Sequence, residues 1–224
     1  VINSALLLRK SKLSKLAGNS FQFHVNLKVF ARYPQTVNAD KGTIFTRQVQ
    51  EFEKEGLLIM GTNFSSPYLV TALAHLNNKQ IDEYFSAYDR SAIYTPQIKP
   101  FGSAKIYSII GGNFIIHQLD QVRDLALFRR SLSITAELIF KSGAEVVILP
   151  LAGSYPIKTL AEANNIISQA TLDQFQLLSL HAMSSNPMGI TNNSVCDTNG
   201  KVRGVENLYV CDASILPSNL GESP

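Results

Sequence analysis

A single apolar stripe along residues 120 to 141 constrains the fold more than any other feature of this sequence. Apolar residues recur there at spacings of three and four, which puts them on one side of an α-helix: Leu125, Phe128, Leu132, Ala136 and Ile139. Asp120 can cap the start of this helix, and Gly143 can take the left-handed conformation that ends one. The apolar run from Glu145 to Leu149 follows at once and predicts a buried strand that ends at Pro150.

Residues 24 to 32 alternate between apolar and polar side chains, which is typical of a half-buried strand. One side carries Val25, Leu27, Val29 and Ala31, and the other carries His24, Asn26, Lys28 and Arg32. Further strands are predicted at residues 57–64, 91–98 and 103–110, and a helix at residues 67–88. Strands and helices do not follow one another in strict alternation. The sequence therefore predicts an α+β fold, with an antiparallel sheet backed by helices, rather than a doubly wound α/β fold.

Composition excludes several classes of function. The 224 residues suffice for one large domain or two small ones, and the net charge of +3 comes without a long basic run, which argues against nucleic-acid binding. No run of about 18 apolar residues exists, so we expect no membrane span. Cys196 and Cys211 do not have metal or redox spacing, and His75 and His117 lack partners at ligand spacing, so we expect reduced thiols and no metal site. The chain begins at Val1 without an initiator Met, which leaves the compartment open.

The C-terminal stretch carries the residues that indicate chemistry. His181 is followed by Met188-Gly189, then by Val195-Cys-Asp197, and then by a run from Gly204 to Ser214 that ends in Asp-Ala-Ser. Leu208 to Cys211 within that run predicts a short buried strand. Small and acidic residues after a strand let the backbone approach a nucleotide cofactor, but the same residues also suit a helix cap. The sequence alone therefore leaves two interpretations of Asp212 open, namely a cap and a cofactor neighbour.

The order and spacing of these segments resemble the C-terminal part of the glucose-methanol-choline oxidoreductase family. The family carries a His, then Gly-Thr and Met-Gly, then Val-Val-Asp, then Gly-Val-x-x-Leu-x-Val-x-Asp-Ala-Ser, and a final Asn-Pro; residues 181–224 follow that order with matching gaps. Upstream, the segment from Gly18 to His24 is similar to another family segment, and Val1 to Ala5 is similar to a family strand. Residues 33–117 match the family only in their general sequence character, without a shared motif.

The resemblance implies an enzyme in which one domain binds FAD and another shapes the substrate pocket. Residues 1–23 and 181–224 would be returning strands of a Rossmann-like FAD-binding domain, and residues 24–180 would form the substrate-binding domain. The Gly-x-Gly-x-x-Gly fingerprint of such domains is absent from these residues. We therefore expect it in a segment that precedes Val1, and we expect weak or no FAD affinity for residues 1–224 alone.

The resemblance also assigns roles to individual residues. His181 stands at the position of the family's catalytic His, which suits a base that takes a proton from a small-molecule alcohol. Asp212, Ala213, Gly221 and Pro224 are expected near the flavin; His24 is predicted to be structural or to line the pocket.

The sequence departs from the family pattern at two places. Ser184-Ser185 replaces Gly-Thr, and Ser223 stands at the second active-site position, where the family has His or Asn. A Ser hydroxyl cannot act as a base without help from another group, so His181 is expected to be the sole base. Ser223 is expected to form a hydrogen bond with the substrate oxygen. The alternative is an inactive or lyase-type homologue that keeps the flavin fold. The substrate stays open among sugars, choline, sterols and long-chain alcohols, and so does the electron acceptor.

Overall fold

The computed structural model describes residues 1–43, 46–62 and 64–222. The described helices are α1 (Ile2–Lys10), α2 (Ser66–Leu73), α3 (Asn78–Ser86), α4 (Arg123–Lys141) and α5 (Leu160–Gln169). The described strands are β1 (Gln22–Phe23), β2 (Val25–Asn26), β3 (Val29–Arg32), β4 (Gln48–Val49), β5 (Leu57–Gly61), β6 (Ser91–Ile98), β7 (Ser103–Ile109), β8 (Gly112–Gln118), β9 (Val146–Ile148) and β10 (Ala182–Met183). Short 3-10 turns lie at Glu53–Glu55, Tyr88–Arg90, Leu172–Gln174 and Ala213–Ile215. Among these helices, none combines the length and the apolar character that crossing a membrane requires.

The chain divides into two compact units, each built from separate stretches. The first unit comprises Val1–His24, Lys99–Asp120 and Ser179–Pro224, of which the last is described as far as Glu222. The second comprises Val25–Ile98 and Gln121–Leu178. The sequence did not separate residues 99–120 from their neighbours. That the two units serve as parts of a cofactor domain and a substrate domain stays a prediction.

The second unit is built on an antiparallel sheet, which confirms the sheet type that the sequence predicted. The strand order is β4-β5-β6-β3-β9, and β2 also pairs with β6. Every described pairing in this sheet is antiparallel.

Helices cover both faces of this sheet. On one face Phe30, Ile93 and Ile148 pack against apolar residues of α2 and α3. Side chains alternate across a strand, so the neighbours of these residues point to the other face, where α4 packs against β3, β6 and β9. The expectation that residues 24–32 form one half-buried strand is therefore wrong: they form β2 and β3, and even Asn26 and Lys28 are buried.

The helix boundaries differ from the sequence prediction in two places. The helix α4 begins at Arg123 after Val122, which makes no side-chain cap, so Asp120 does not cap it. Residues 67–88 do not form one helix, because Asn77 starts α3 with a reciprocal cap between its side chain and Gln80. The prediction for Gly143 is confirmed: it follows α4 with φ at +94°.

The first unit begins with a helix where a strand was expected. Val1 to Ala5 resembled a family strand, but residues 2–10 form α1, whose Ala5, Leu6 and Leu8 are buried in the core of this unit. The Ala-Leu-Leu-Leu-Arg-Lys run consists of strong helix formers, which explains the outcome. The unit also contains the β7–β8 hairpin and the short pair of β1 with β10.

Candidate functional site

His181 lies directly before β10, and the pairing of that strand decides what the imidazole faces. In the antiparallel pair of β1 and β10, Phe23 is opposite Ala182 and Gln22 is opposite Met183. One step further along, the His24 N–H donates to the carbonyl oxygen of His181 at 3.3 Å. The backbone ladder therefore brings the two histidines opposite each other within the first unit.

Their side chains meet through the same ring nitrogen. The Nδ1 atoms of His24 and His181 lie 3.1 Å apart, and the ring planes are nearly perpendicular at 88°. At this distance one nitrogen donates a proton and the other accepts it. The sequence predicted that His24 is structural or lines the pocket, and it did not indicate this pairing.

Burial keeps both imidazoles neutral at pH 7. His24 is fully buried, and burial is the largest cause that lowers its pKa to about 4; a positive charge on His181 or Lys99 acts in the same direction. His181 is half-buried, and burial lowers its pKa as well. The pair is therefore a neutral hydrogen-bonded dyad rather than a charged one.

Asn219 fixes the surroundings of the His24 ring. Its amide nitrogen donates to the carbonyl oxygen of Phe23 at 3.0 Å, and its side-chain oxygen accepts from the Gly221 N–H at 2.9 Å. The Asn219 side chain acts to raise the pKa of His24, against the larger effect of burial, while Nε2 of His24 has no hydrogen-bond partner among the described residues. The sequence did not single out Asn219, and nothing in its local pattern marks it.

Asp212 caps the 3-10 turn Ala213–Ile215. One carboxylate oxygen accepts from the Ser214 N–H at 2.8 Å, and the other accepts from the Ser4 hydroxyl at 3.0 Å. Burial on its own would raise the pKa of Asp212, but hydrogen bonds from Ser214 and Ser4 act against it and the pKa is lowered. Asp212 is thus a cap, and its contact with a cofactor stays a prediction, as do those of Ala213 and Gly221.

The segment that follows His181 runs beside this turn. The N–H groups of Ser184, Asn186 and Met188 donate to the carbonyl oxygens of Ala213, Ser214 and Ile215 at distances of 3.2, 2.9 and 2.8 Å. These backbone hydrogen bonds therefore hold residues 184–188 against the Asp-Ala-Ser turn.

The region before this turn is not the buried strand that the sequence predicted at Leu208 to Cys211. Only an isolated bridge joins Tyr209 to Lys201, Tyr209 is 58% exposed, and Cys211 is exposed. The Val210 N–H donates to the carbonyl oxygen of Gly200 and the Val202 N–H donates to that of Leu208, both at 2.9 Å, so the pairing does not extend beyond this one bridge. Both cysteines are free, and Cys196 is buried.

Ser184 stands where the family carries Gly, and its backbone shows why. Its φ is +64°, in the left-handed region that residues other than Gly rarely adopt, and its buried hydroxyl has no hydrogen-bond partner among the described residues. Ser223 and Pro224, which the sequence placed at the site, lie outside the described residues. In the described part of the chain, no group of three or more His, Cys, Asp or Glu side chains is arranged to hold a metal.

Known proteins resemble this chain along most of its length. It is 25% identical over 217 residues to an uncharacterized GMC-type oxidoreductase of Mycobacterium tuberculosis, which covers 95% of this chain and 34% of that protein. It is 26% identical over 226 residues to the uncharacterized GMC-type oxidoreductase y4nJ of Sinorhizobium fredii, which covers 100% of this chain and 44% of that protein. The chain thus spans less than half the length of these relatives.

Among solved structures, pyridoxine 4-oxidase from Mesorbium loti aligns with 91% of this chain and 40% of its own, at 16% identity and a TM-score of 0.49. The family model for GMC oxidoreductases matches residues 112–224, which include His181 and the Asp-Ala-Ser turn. This chain therefore belongs to the GMC oxidoreductase family.

Proposed function

We propose that this chain is the C-terminal part of an FAD-dependent oxidoreductase that oxidises the CH–OH group of a small-molecule alcohol to a carbonyl. The observation that carries the proposal is the neutral dyad of His24 and His181, whose Nδ1 atoms lie 3.1 Å apart. A base that is unprotonated at pH 7 and oriented by a second group is what removal of a hydroxyl proton requires.

The residues of this chain fit the reacting side of a flavin site rather than its phosphate-binding side. The sequence holds no Gly-x-Gly-x-x-Gly turn for a pyrophosphate, whereas His181 is half-buried and neutral. When bound, the flavin would accept a hydride from the carbon of the alcohol. We propose that Asp212, Ala213 and Gly221 lie beside it, as the resemblance implies.

The geometry of the dyad supports one nitrogen of His181 as the proton acceptor. Because Nδ1 of His181 faces His24, Nε2 is the atom that is left to accept a proton from the substrate hydroxyl. Nε2 must then be unprotonated, so His181 carries its proton on Nδ1 and donates it to Nδ1 of His24. His24 in turn carries its proton on Nε2, on the side of Asn219.

His24 acts as the orienting group of this arrangement. Its Nδ1 lone pair holds the His181 ring in place and stabilises the imidazolium that forms when the hydroxyl proton arrives. This role requires His24 to stay neutral, which its pKa of about 4 provides. We propose that Ser223 donates a hydrogen bond to the substrate oxygen.

The full-length protein with its bound flavin tests the proposal. We expect primary and secondary alcohols to bleach the flavin absorbance under anaerobic conditions, and the matched deoxy compounds to leave it unchanged. A full-length protein without flavin would overturn the proposal. A bound flavin that no alcohol in a broad panel reduces would favour the lyase-type or inactive homologue instead.

A further inference from the structure

Lys28 carries a buried ammonium group in the second unit, and in the described part of the chain no carboxylate pairs with it. The residue is 8% exposed and lies between β2 and β3. Its Nζ donates to Thr71 Oγ1 at 2.6 Å and lies 4.0 Å from the centre of the Tyr68 ring. Lysine is almost never buried without a paired charge.

The charge on Lys28 survives burial. Burial lowers its pKa to about 8, and no acidic group contributes to the shift. At pH 7 the side chain is therefore still mostly an ammonium, with three N–H groups to satisfy. Thr71 accepts one of them and the face of Tyr68 attracts the charge, but neither partner is an anion.

A pocket of about 230 Å³ opens against Lys28. Lys28, Thr71 and Gln176 are the polar residues that line it, and the rest of its lining is apolar, including Ala72, Leu177 and Leu178. An apolar cavity of about 150 Å³ holds a benzene molecule, so this pocket suits a molecule somewhat larger than benzene.

We propose that this pocket binds a small organic acid, with the carboxylate at the Lys28 ammonium and the apolar part against Ala72, Leu177 and Leu178. A carboxylate forms a short, charge-assisted hydrogen bond with an ammonium. It would supply the negative charge that neither Thr71 nor Tyr68 provides. Gln176 can donate a second hydrogen bond from its amide. An inorganic anion would satisfy Lys28 but leave the apolar lining without contacts.

A plainer role for Lys28 is to hold the segment between β2 and β3 against α2, since Tyr68 and Thr71 both belong to that helix. That role explains the contacts of the ammonium with the helix, but it does not explain a pocket with an apolar lining next to the ammonium. The two roles differ in one measurable respect, because only the binding site distinguishes a carboxylate from its neutral isostere.

The test is calorimetric titration of the full-length protein with three compounds. These are benzoate, its neutral isostere benzamide, and inorganic phosphate. We expect benzoate to bind about tenfold or more tightly than benzamide, and phosphate to bind more weakly than benzoate. The Lys28→Met variant should lose about tenfold or more in benzoate affinity. The matched control Lys79→Met removes an exposed positive charge elsewhere in the unit and should leave that affinity unchanged.

Equal binding of benzoate and benzamide, no benzoate binding, or equal affinities of the two lysine variants would overturn the proposal. If Lys28→Met fails to fold, Ala74→Trp blocks the pocket while Lys28 remains, and it should abolish benzoate binding. In the unaltered chain, NMR titration of the Lys28 side chain should show that benzoate raises its pKa above about 8. An unchanged pKa would count against the site. None of these readouts depends on flavin or on alcohol oxidation.

Discussion

His24 and His181 are 157 positions apart in the chain, yet their Nδ1 atoms lie 3.1 Å apart. The short ladder between β1 and β10 makes this contact, since it sets the two residues opposite each other. The contact gives His181 a fixed orientation, and it leaves Nε2 as the nitrogen that can take a proton.

Replacing His24 should slow proton removal without abolishing flavin binding. His24→Leu removes the acceptor that orients His181, and we expect kcat to fall by about 10- to 100-fold. His24→Asn keeps an oxygen near the former Nδ1 position and should retain more activity than the Leu variant. The pH profile of kcat/KM separates this role from a merely structural one: the acid limb, which reports His181, should shift in the Leu variant. A profile that does not move while kcat stays high would contradict the positioning role.

Stability should fall in mild acid because His24 is buried in its neutral form. Its pKa is 6.5 ordinarily and about 4 in the folded protein, so between these values the unfolded chain binds more protons than the folded one. The free energy of unfolding should therefore decrease as the pH drops from about 6.5 to about 4, by about 3 kcal/mol from this group. Denaturant unfolding at a series of pH values measures the slope. His24→Asn should show a smaller decrease, whereas equal slopes in both proteins would disprove the assignment.

Ser184→Gly should stabilise the protein. The φ of +64° strains a residue with a side chain but not Gly, and the buried hydroxyl that would be lost has no hydrogen-bond partner in the part of the chain that the structure describes. We expect a gain of about 1 kcal/mol in the free energy of unfolding. Ser185→Gly is the matched control; its hydroxyl donates to the Val1 carbonyl oxygen, so that variant should lose stability. A Ser184→Gly protein with a lower melting temperature would contradict the explanation.

Asp212→Ala tests both interpretations of that residue. Loss of the cap on the Ala213–Ile215 turn should lower the free energy of unfolding by about 1 to 2 kcal/mol. Ser4→Ala removes only one donor to the same carboxylate and should cost less. If Asp212 also lies beside the flavin, its Ala variant should weaken flavin binding in the full-length protein, and Ser4→Ala should not. Unchanged flavin affinity in both variants would leave Asp212 as a cap alone.

The sequence predicted those elements whose signal is local. The apolar stripe of α4 and the turn at Gly143 could be predicted because helix periodicity and left-handed backbone depend on neighbours in the chain. The start of α4 could not, since Asp120 has a capping side chain but does not lie at the cap. Likewise, apolar and polar side chains alternate along residues 24–32 as they do in a half-buried strand. Only the packing of helices on both faces of the sheet shows that the polar side chains are buried too.

The site was predictable only one residue at a time. The spacing after His181 carried the family resemblance, which the family model confirms over residues 112–224. The partner of His181 was not predictable, because His24 reaches it through strand pairing between distant segments. Lys28 shows the same limit: its position in an alternating run suggested an exposed side chain, whereas the structure buries it against α2.

The central claim, that His181 is the base, is tested most directly by stopped-flow reduction of the flavin in the full-length protein. The measurement compares wild type with His181→Ala at pH 8, with an alcohol that bleaches the wild-type flavin. The account predicts a variant that keeps its flavin and reduces it about 100- to 10,000-fold more slowly. A His181→Ala protein that binds flavin and is reduced at the wild-type rate would contradict it.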